Sequence, residues 1–395
     1  MARIGIYGGT FNPPHIGHIH AASCALGTLA LDKLLLIPDR IAPHKVMPAL
    51  TPAPSQRLDM VRISANSMED DRVEVTDMEL NREGPSYTYQ TVEHLRKQYP
   101  DDTLYLMMGT DMFLSFQNWK NAEQIWRQVT LAVFYRGDRG EEEQIRQHKA
   151  TMEALGARVE LVGNPVVDIS STQLRRMLVF RCADSFLPAG VADYIRENRL
   201  YETGEDFCDL PMEKLEAVVT GLLKPNRVAH VLGCRDTAVA LAKRWGADEI
   251  DAARAGLLHD ITKALDGPLQ LTLCREYGIL LDAFFTKNPK TLHALTGSLV
   301  ALRIFGENDA VVSAIRSHTT GKADMNTLEK IIYVADYMEP NRDFPGVEKL
   351  RDLAYSDLDA ALKLGLTMTL EMLKKQGSEI SPESREALEF LNQSL

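Results

Sequence analysis

Residues 8–18 read Gly-Gly-Thr-Phe-Asn-Pro-Pro-His-Ile-Gly-His, a run of residue types suited to holding a phosphate. Glycines such as Gly8 and Gly9, placed where a first strand ends, let the backbone come close to an anion. A helix beginning just after them offers unpaired N–H groups and a positive dipole end to the same anion. His15 and His18 are three residues apart with Gly17 between them, which sets two hydrogen-bond donors beside any phosphate held there. Much later, Ile169-Ser170-Ser171-Thr172-Gln173-Leu174-Arg175 carries hydroxyl residues suited to a helix start, with Arg175 one turn further on. A different constellation follows residue 202. Four histidines, His230, His259, His293 and His318, stand beside helical segments, and Asp260 directly follows His259. Asp336 lies in Ile331-Ile332-Tyr333-Val334-Ala335-Asp336-Tyr337, where an acid on an otherwise apolar helix is costly unless coordinated or paired.

The elements that must position these groups differ between the two halves. Short apolar runs at 4–7, 34–37, 73–75, 104–108, 131–134 and 159–162 predict strands. Helical patterns stand between them, from about residue 18 and at 56–68 and 88–98. Such alternation predicts an α/β domain, a doubly wound parallel sheet with helices on both faces and ligands beyond the carboxyl ends of its strands. The polar, turn-rich stretch 202–209 reads as a linker. Beyond it strand signals almost vanish, and patterns at 212–223, 235–245, 250–259, 292–305, 326–337 and 358–376 predict an all-α domain. The expected division is 1–202 and 209–395.

A chain of 395 residues fits two such domains. With 45% hydrophobic and 25% charged residues it has the balance of a soluble globular protein. A formal net charge of -11 argues against a sequence-independent nucleic-acid binder, and leaves room for small anions in a local basic pocket. The opening MARIGIYGGTF lacks a basic segment followed by an apolar one, and the run 34–37 is far too short to span a bilayer. Five scattered cysteines, none in a CxxC pair, read as reduced thiols and small core residues. The expectation is a cytoplasmic protein with neither membrane nor nucleic-acid partner.

The string His15-Ile16-Gly17-His18 after a glycine turn, with the 169–175 segment, resembles the signatures of the HxGH nucleotidylyltransferase superfamily. Within it, residues 1–202 resemble nicotinate-nucleotide adenylyltransferases. The similar segments are Ile41-Ala42-Pro43-His44-Lys45, Gly84-Pro85-Ser86-Tyr87-Thr88-Tyr89, Gly109-Thr110-Asp111 with Trp119, and Val191, Tyr194, Ile195 and Leu200-Tyr201. Asn12 stands where that family more commonly has Asp. The resemblance implies a Rossmann-like fold and attack by the phosphate of nicotinate mononucleotide on the α-phosphorus of ATP, with Mg²⁺ on the phosphates. It implies that His15 and His18 stabilise the transferring group, beside a loop of Gly8, Gly9, Thr10 and Phe11. Lys45 would face substrate phosphate, while Ser171, Thr172 and Arg175 would hold those of ATP. Tyr87, Thr88 and Trp119 would lie near the pyridine, Asp111 at ribose or adenine, and Arg136 within reach of ATP. Adenylylation of another phosphate ester is the alternative.

The order of the later residues, His, His-Asp, His, His, Asp, is similar to that of the HD phosphohydrolase superfamily. Residues 209–395 resemble its symmetrical dinucleoside tetraphosphatases through 256–263, His318-Thr319-Thr320-Gly321 and 329–342. This resemblance implies that His230, His259, Asp260 and Asp336 hold a metal, Asp260 either bridging two ions or orienting a water. His293 and His318 would either complete a second metal site or contact phosphate, with Thr319 and Arg342 as phosphate contacts. Imidazole and carboxylate ligands without thiolate favour iron or manganese, with magnesium as an alternative, over structural zinc. The implied substrate is diadenosine tetraphosphate, split to ADP. The alternatives are hydrolysis of a different nucleotide and a nucleotide-binding sensor that regulates the first domain.

Overall fold

The apolar runs of the first half form six strands: β1 (Arg3–Gly9), β2 (Lys33–Pro38), β3 (Val73–Val75), β4 (Thr103–Gly109), β5 (Thr130–Tyr135) and β6 (Arg158–Gly163). The computed structural model describes residues 1–43, 47–48, 50–135, 139–163 and 169–394. These divide into two units, Met1–Glu205 and Asp206–Leu395, with the boundary inside the polar stretch 202–209.

All neighbouring strands of the first unit are parallel, in the order β3-β2-β1-β4-β5-β6. Ile6 of β1 pairs with Leu35 of β2 on one side and Leu106 of β4 on the other. Around the sheet run α1 (Ile16–Thr28), α2 (Pro54–Asn66), α3 (Thr88–Gln98), α4 (Thr110–Leu114), α5 (Ala122–Trp126), α6 (Arg139–Ala154), α7 (Ser171–Val179) and α8 (Val191–Glu197). Alternate strand residues feed two cores. Ile4, Ile6, Leu104, Leu106, Leu131 and Val133 pack with Val92 and Leu95 of α3, Phe113 of α4, Ile125 of α5 and Ile145 of α6. Leu34, Leu36, Tyr105, Met107 and Phe134 pack with Ala21, Ala25 and Leu26 of α1 and Val61 and Ala65 of α2. A sheet covered on both faces needs apolar residues at successive positions, which is why its strands read as continuous runs instead of alternating ones. The fold is the doubly wound α/β arrangement expected, and strand order reverses between β1 and β4.

The second unit contains no strand among its described residues. It consists of α9 (Met212–Leu222), α10 (Pro225–Trp245), α11 (Glu249–Leu258), α12 (Gly267–Glu276), α13 (Ala283–Lys287), α14 (His293–Arg303), α15 (Asp309–Ser317), α16 (Thr327–Met338), α17 (Val347–Ser356), α18 (Leu358–Lys375) and α19 (Pro382–Ser394). Helix α10 starts ten residues before the apolar pattern at 235 suggests. Pro225 opens it, as proline can where the N–H has no helical partner, and its first turns place Arg227 and the buried His230 among apolar residues such as Val231. Helices α12, α13, α15, α17 and α19 lie outside the windows the apolar pattern picked out. Asp266, Asp282, Asn308 and Asp357 cap the N-termini of α12, α13, α15 and α18, each accepting a backbone N–H.

No disulfide is present among the described residues, and Cys182, Cys234 and Cys274 are buried. Cys24 is half-buried, and Cys208 is exposed in the polar turn after residue 205, a correction to the reading of all five as core residues. Among the described residues no helix is long and apolar enough to cross a membrane.

Candidate functional sites

Two chambers open at the carboxyl ends of β1 and β4 in the first unit, where the strand order reverses. The larger, about 690 Å³, is lined by Thr10, His15, Gly17, His18, Gly109, Asp111, Ser171, Thr172 and Arg175. The smaller, about 160 Å³, is lined by Gly8, Gly9, Thr10, Asp39, Tyr87, Thr88, Trp119 and Lys120. Thr10 belongs to both, so a ligand in one chamber meets the loop that also shapes the other.

The two histidines are set by the start of α1. The backbone N–H of His15 donates to Nδ1 of His18 at 3.1 Å, so the His18 proton belongs on Nε2. The two rings lie 3.7 Å apart between centroids, and the Phe11 ring stands 5.0 Å from that of His18. His15 is buried, its Nδ1 has no hydrogen-bond partner, and burial pushes its pKa down to about 4. A neutral imidazole with an unsatisfied nitrogen at a helix start is a ready seat for an anion's oxygen.

The 169–175 segment lies across from these histidines. Ser170, not Ser171 or Thr172, caps α7, its side chain accepting from the Gln173 N–H. Ser171 Oγ donates to the Pro13 carbonyl at 3.2 Å. Arg175 donates to the Asn12 carbonyl at 2.8 Å and to Thr172 Oγ1 at 3.1 Å. Asn12 is itself tied on both ends, Oδ1 accepting from the Tyr201 hydroxyl at 2.8 Å and Nδ2 donating to Thr51 Oγ1 at 3.1 Å. An aspartate at position 12 would lack the second donor. Phe11 is buried with φ 46° and lines neither chamber; it packs edge-on against Tyr7 at 5.7 Å. Asp111 is exposed in the first turn of α4, and Trp119 packs against Phe116 at 5.1 Å. Lys45 and Arg136 lie outside the described residues.

In the second unit, five helices converge. His230 comes from α10, His259 and Asp260 follow α11, His293 opens α14, His318 follows α15, and Asp336 comes from α16. Each histidine has an acceptor for Nδ1: Glu339 Oε1 at 3.1 Å for His230, and the carbonyls of Gly256, Lys290 and Ile315 at 2.7, 2.9 and 2.7 Å for His259, His293 and His318. That puts the proton on Nδ1 and leaves the Nε2 lone pair to face the centre. His230 Nε2 lies 3.2 Å from His259 Nε2 and 3.1 Å from Asp336 Oδ1. His293 Nε2 lies 3.2 Å from His318 Nε2.

Asp260 stands between the two pairs. Its Oδ2 is 3.5 Å from His259 Nε2 and 3.7 Å from His230 Nε2; its Oδ1 is 3.4 Å from His293 Nε2 and 3.7 Å from His318 Nε2. Burial opposes its charge, and the facing imidazoles of His259, His318 and His293 more than offset this, holding the carboxyl well below the usual range. Asp336 is half-buried; desolvation opposes its charge, and its bond to His230 with His259 and the Arg342 guanidinium beside it keeps the carboxyl well below the usual range. Burial, then Lys263, pushes His293 down to about 3. Asp260 Oδ1 is buried without a hydrogen-bond partner, which a native carboxylate rarely tolerates. Three overlapping sets offer ligand atoms within 4.8 Å of one another: His230, His259 and Asp260; His259, His318 and Asp336; Asp260, His293 and His318. Inward-facing imidazole nitrogens, two carboxylates and an orphaned oxygen fit divalent cations.

Around this cluster, Thr319 Oγ1 is 3.0 Å from His293 Nε2, and Arg342 donates to the Asp336 carbonyl at 2.9 Å and to its Oδ1 at 2.6 Å. Several contributors had no role in the sequence reading. Arg227 Nε donates to Asp260 Oδ2 at 2.5 Å, Lys263 Nζ is 2.9 Å from His293 Nε2, and Glu339 supports His230. In the first unit Arg57 is 1% exposed and donates to the carbonyls of Thr10 at 2.8 Å and Asp39 at 2.7 Å. A signal existed for Arg57. It shares the spacing of the buried Met60, Val61, Ser64 and Ala65 on α2, so an arginine sits on the apolar stripe.

Fold and sites together define a nucleotidylyltransferase-type α/β unit joined to a helical unit that carries a candidate metal-ligand cluster. Residues 6–177 match the cytidylyltransferase-like family and residues 227–341 the HD domain. A probable nicotinate-nucleotide adenylyltransferase of Clostridium tetani is 35% identical over 45% of this chain and 88% of its own length. A symmetrical bis(5'-nucleosyl)-tetraphosphatase of Halalkalibacterium halodurans is 42% identical over 41% of this chain and 89% of its own. The crystal structure of a predicted HD superfamily hydrolase involved in NAD metabolism from Clostridium acetobutylicum shares 36% identity over 47% of this chain and 99% of that one, with a TM-score of 0.46. The chain therefore belongs to the nicotinate-nucleotide adenylyltransferase family through its N-terminal half and carries an HD domain in its C-terminal half.

Proposed function

We propose that this chain is a bifunctional enzyme, with residues 1–202 joining the AMP of ATP to nicotinate mononucleotide and residues 209–395 splitting diadenosine tetraphosphate into two ADP. Both substrates and products belong to nucleotide metabolism, and the reading includes a cytoplasmic location.

In the first reaction an oxygen of the mononucleotide phosphate bonds to the α-phosphorus of ATP. The bond from that phosphorus to the bridging oxygen breaks, and pyrophosphate leaves. The attacking phosphate is already ionised, so no strong base is needed, and positioning with charge neutralisation carries the rate. Mg²⁺ would arrive on the ATP phosphates and neutralise part of their charge. His18, with its proton directed to Nε2, and the unsatisfied His15 Nδ1 are the donor groups of the larger chamber; Arg175 and Thr172 face them. The smaller chamber, walled by Tyr87, Thr88 and Trp119, suits a flat ring. The observation that carries this reading is the His15–His18 arrangement at the mouth of α1 with α7 opposite.

In the second reaction water adds to a phosphorus and one bridging P–O bond breaks, giving two nucleoside diphosphates. A divalent cation held by His230, His259, Asp260, Asp336 and, as a second position, His293 and His318 would act as a Lewis acid toward phosphate and acidify a water. Iron or manganese suits the donor set, with magnesium as the alternative. Arg227, Lys263 and Arg342 supply positive charge beside the cluster, and Thr319 a hydroxyl. The carrying observation is Asp260, each of whose oxygens faces a separate histidine pair.

The test is product analysis on purified protein with its metal content measured in parallel. ATP, Mg²⁺ and nicotinate mononucleotide should yield nicotinate adenine dinucleotide. Diadenosine tetraphosphate with Fe²⁺ or Mn²⁺ should yield ADP alone. Synthesis without any nucleotide hydrolysis by metal-loaded protein would turn the second unit into a sensor.

A further inference from the structure

Leu200 and Tyr201, near the end of the first unit, have no part in the chemistry proposed above. Tyr201 is nevertheless buried, and its hydroxyl donates to Asn12 Oδ1 at 2.8 Å across 189 residues of chain. The turn that delivers it is a demanding one. Tyr201 has φ 54° and ψ 38°, in the left-handed region, inside the single turn Leu200–Glu202 that packs against α7. A bulky side chain keeps that conformation only where its surroundings over-determine it. Arg175 and Arg57 both stand close enough to favour the ionised phenol. Burial outweighs them and pushes the phenol above its ordinary value, so the hydroxyl stays a neutral O–H donor.

The loop between β1 and α1 gives three of its carbonyls to distant donors. Arg57 takes that of Thr10 at 2.8 Å, Arg175 that of Asn12 at 2.8 Å, and Ser171 Oγ that of Pro13 at 3.2 Å. The middle bond differs in its consequence, because Arg175 also lines the larger chamber. Its hold on the Asn12 carbonyl decides where the guanidinium lies. Asn12 in turn is fixed by its side chain, with Tyr201 on Oδ1 and Thr51 Oγ1 at 3.1 Å from Nδ2. Two hydrogen bonds in series, through one buried asparagine, therefore connect the Tyr201 hydroxyl to the Arg175 guanidinium.

We propose that Tyr201 is a positioning residue for nucleotidyl transfer, whose hydroxyl fixes Asn12 so that the Asn12 carbonyl sets the Arg175 guanidinium against the ATP phosphates. The inference rests on the adenylyltransferase reading of the first unit and adds a residue that touches no substrate. A ring that only filled the core would need no hydroxyl, since phenylalanine fills the same space without a polar group to desolvate. The hydroxyl is placed where its bond constrains a residue that holds a chamber cation.

The test is the steady-state kinetics of dinucleotide synthesis by the full chain, which read the first unit alone. Synthesis by the wild type establishes the underlying reading; its absence would overturn that reading and this inference with it. Given synthesis, Tyr201→Phe should lower kcat/KM for ATP about tenfold, a part of what misplacing a positioning group can cost. KM for nicotinate mononucleotide should change less than about twofold, a split that general loosening of the unit would not produce. Asn12→Ala should give the same split, and the two changes together should lose no more than either alone, because both break one series. All variants are assayed below their melting temperatures, and Asn12→Ala decides the matter should Tyr201→Phe not fold. Equal losses toward ATP and the mononucleotide, multiplied losses in the double variant, or wild-type kinetics in folded Tyr201→Phe would refute the positioning role and leave the synthesis reading intact.

Discussion

Glu339 Oε1 lies 3.1 Å from Nδ1 of His230, and Glu339 is itself pinned by the backbone N–H and side-chain amide of Asn341 at 2.7 and 2.8 Å. The carboxylate holds the imidazole in the tautomer that leaves Nε2 open to a cation. Glu339→Ala should therefore weaken metal binding roughly 10- to 100-fold, read by titration with Mn²⁺ or Fe²⁺, while dinucleotide synthesis persists. Gly233→Ala should act in the same direction, because a Cβ there would stand 2.5 Å from Glu339 Oε2. Undiminished affinity in both variants would remove Glu339 from the site's support.

The two proposed activities should be lost separately. His18→Ala removes a donor from the larger chamber of the first unit and should lower synthesis by about 10² to 10³, the usual effect of losing one such group, with hydrolysis unaffected. His259→Ala combined with Asp260→Ala should abolish hydrolysis and spare synthesis. Loss of both activities from either change, in protein that still melts cooperatively, would contradict two independent sites.

His15 makes a pH prediction whose sign is set by burial. Its pKa falls from 6.5 to about 4 in the folded chain, so between these values the unfolded chain binds the extra proton. Stability then declines as pH falls from 6.5 toward 4, by up to about 3 kcal/mol for this one group. Measured by urea denaturation, the decline over that window should be shallower in His15→Gln than in the wild type. Identical slopes would mean that His15 is not neutral in the free protein.

Arg57 is buried beneath the Thr10 loop, bound to the carbonyls of Thr10, Asp39 and Arg40. Arg57→Met keeps much of its volume and removes the donors, stranding buried acceptors at a cost of about 1–3 kcal/mol each. A lower melting temperature and a large loss of synthesis should follow. Full synthesis at wild-type stability would show that other groups hold the loop.

The strand runs and the two histidine constellations were legible because their signals are local. A sheet covered on both faces forces apolar residues together, and His15-Ile16-Gly17-His18 and His259-Asp260 are contiguous. Asp336 stood out because a charge on an apolar helix needs a partner. The early turns of α10 were obscured because Arg227 and His230, which face the polar site, interrupt the inward stripe of Val231, Cys234 and Ala238 on which helix detection depends. Helices α12, α13 and α15 began at single capping residues, a weak signal beside the apolar windows.

By itself the sequence determined the parallel sheet, the helical second half and the identities of the groups able to meet a phosphate or a cation. It could not determine which nitrogen of each histidine faces inward, because that depends on Glu339 and on carbonyls of Gly256, Lys290 and Ile315 brought near by helix packing. Nor could it pair Asp260 Oδ2 with His230 and His259 and Oδ1 with His293 and His318. Those relationships join residues many turns apart in the chain, and only the tertiary fold, by burying them together at low dielectric, makes their orientation and protonation definite.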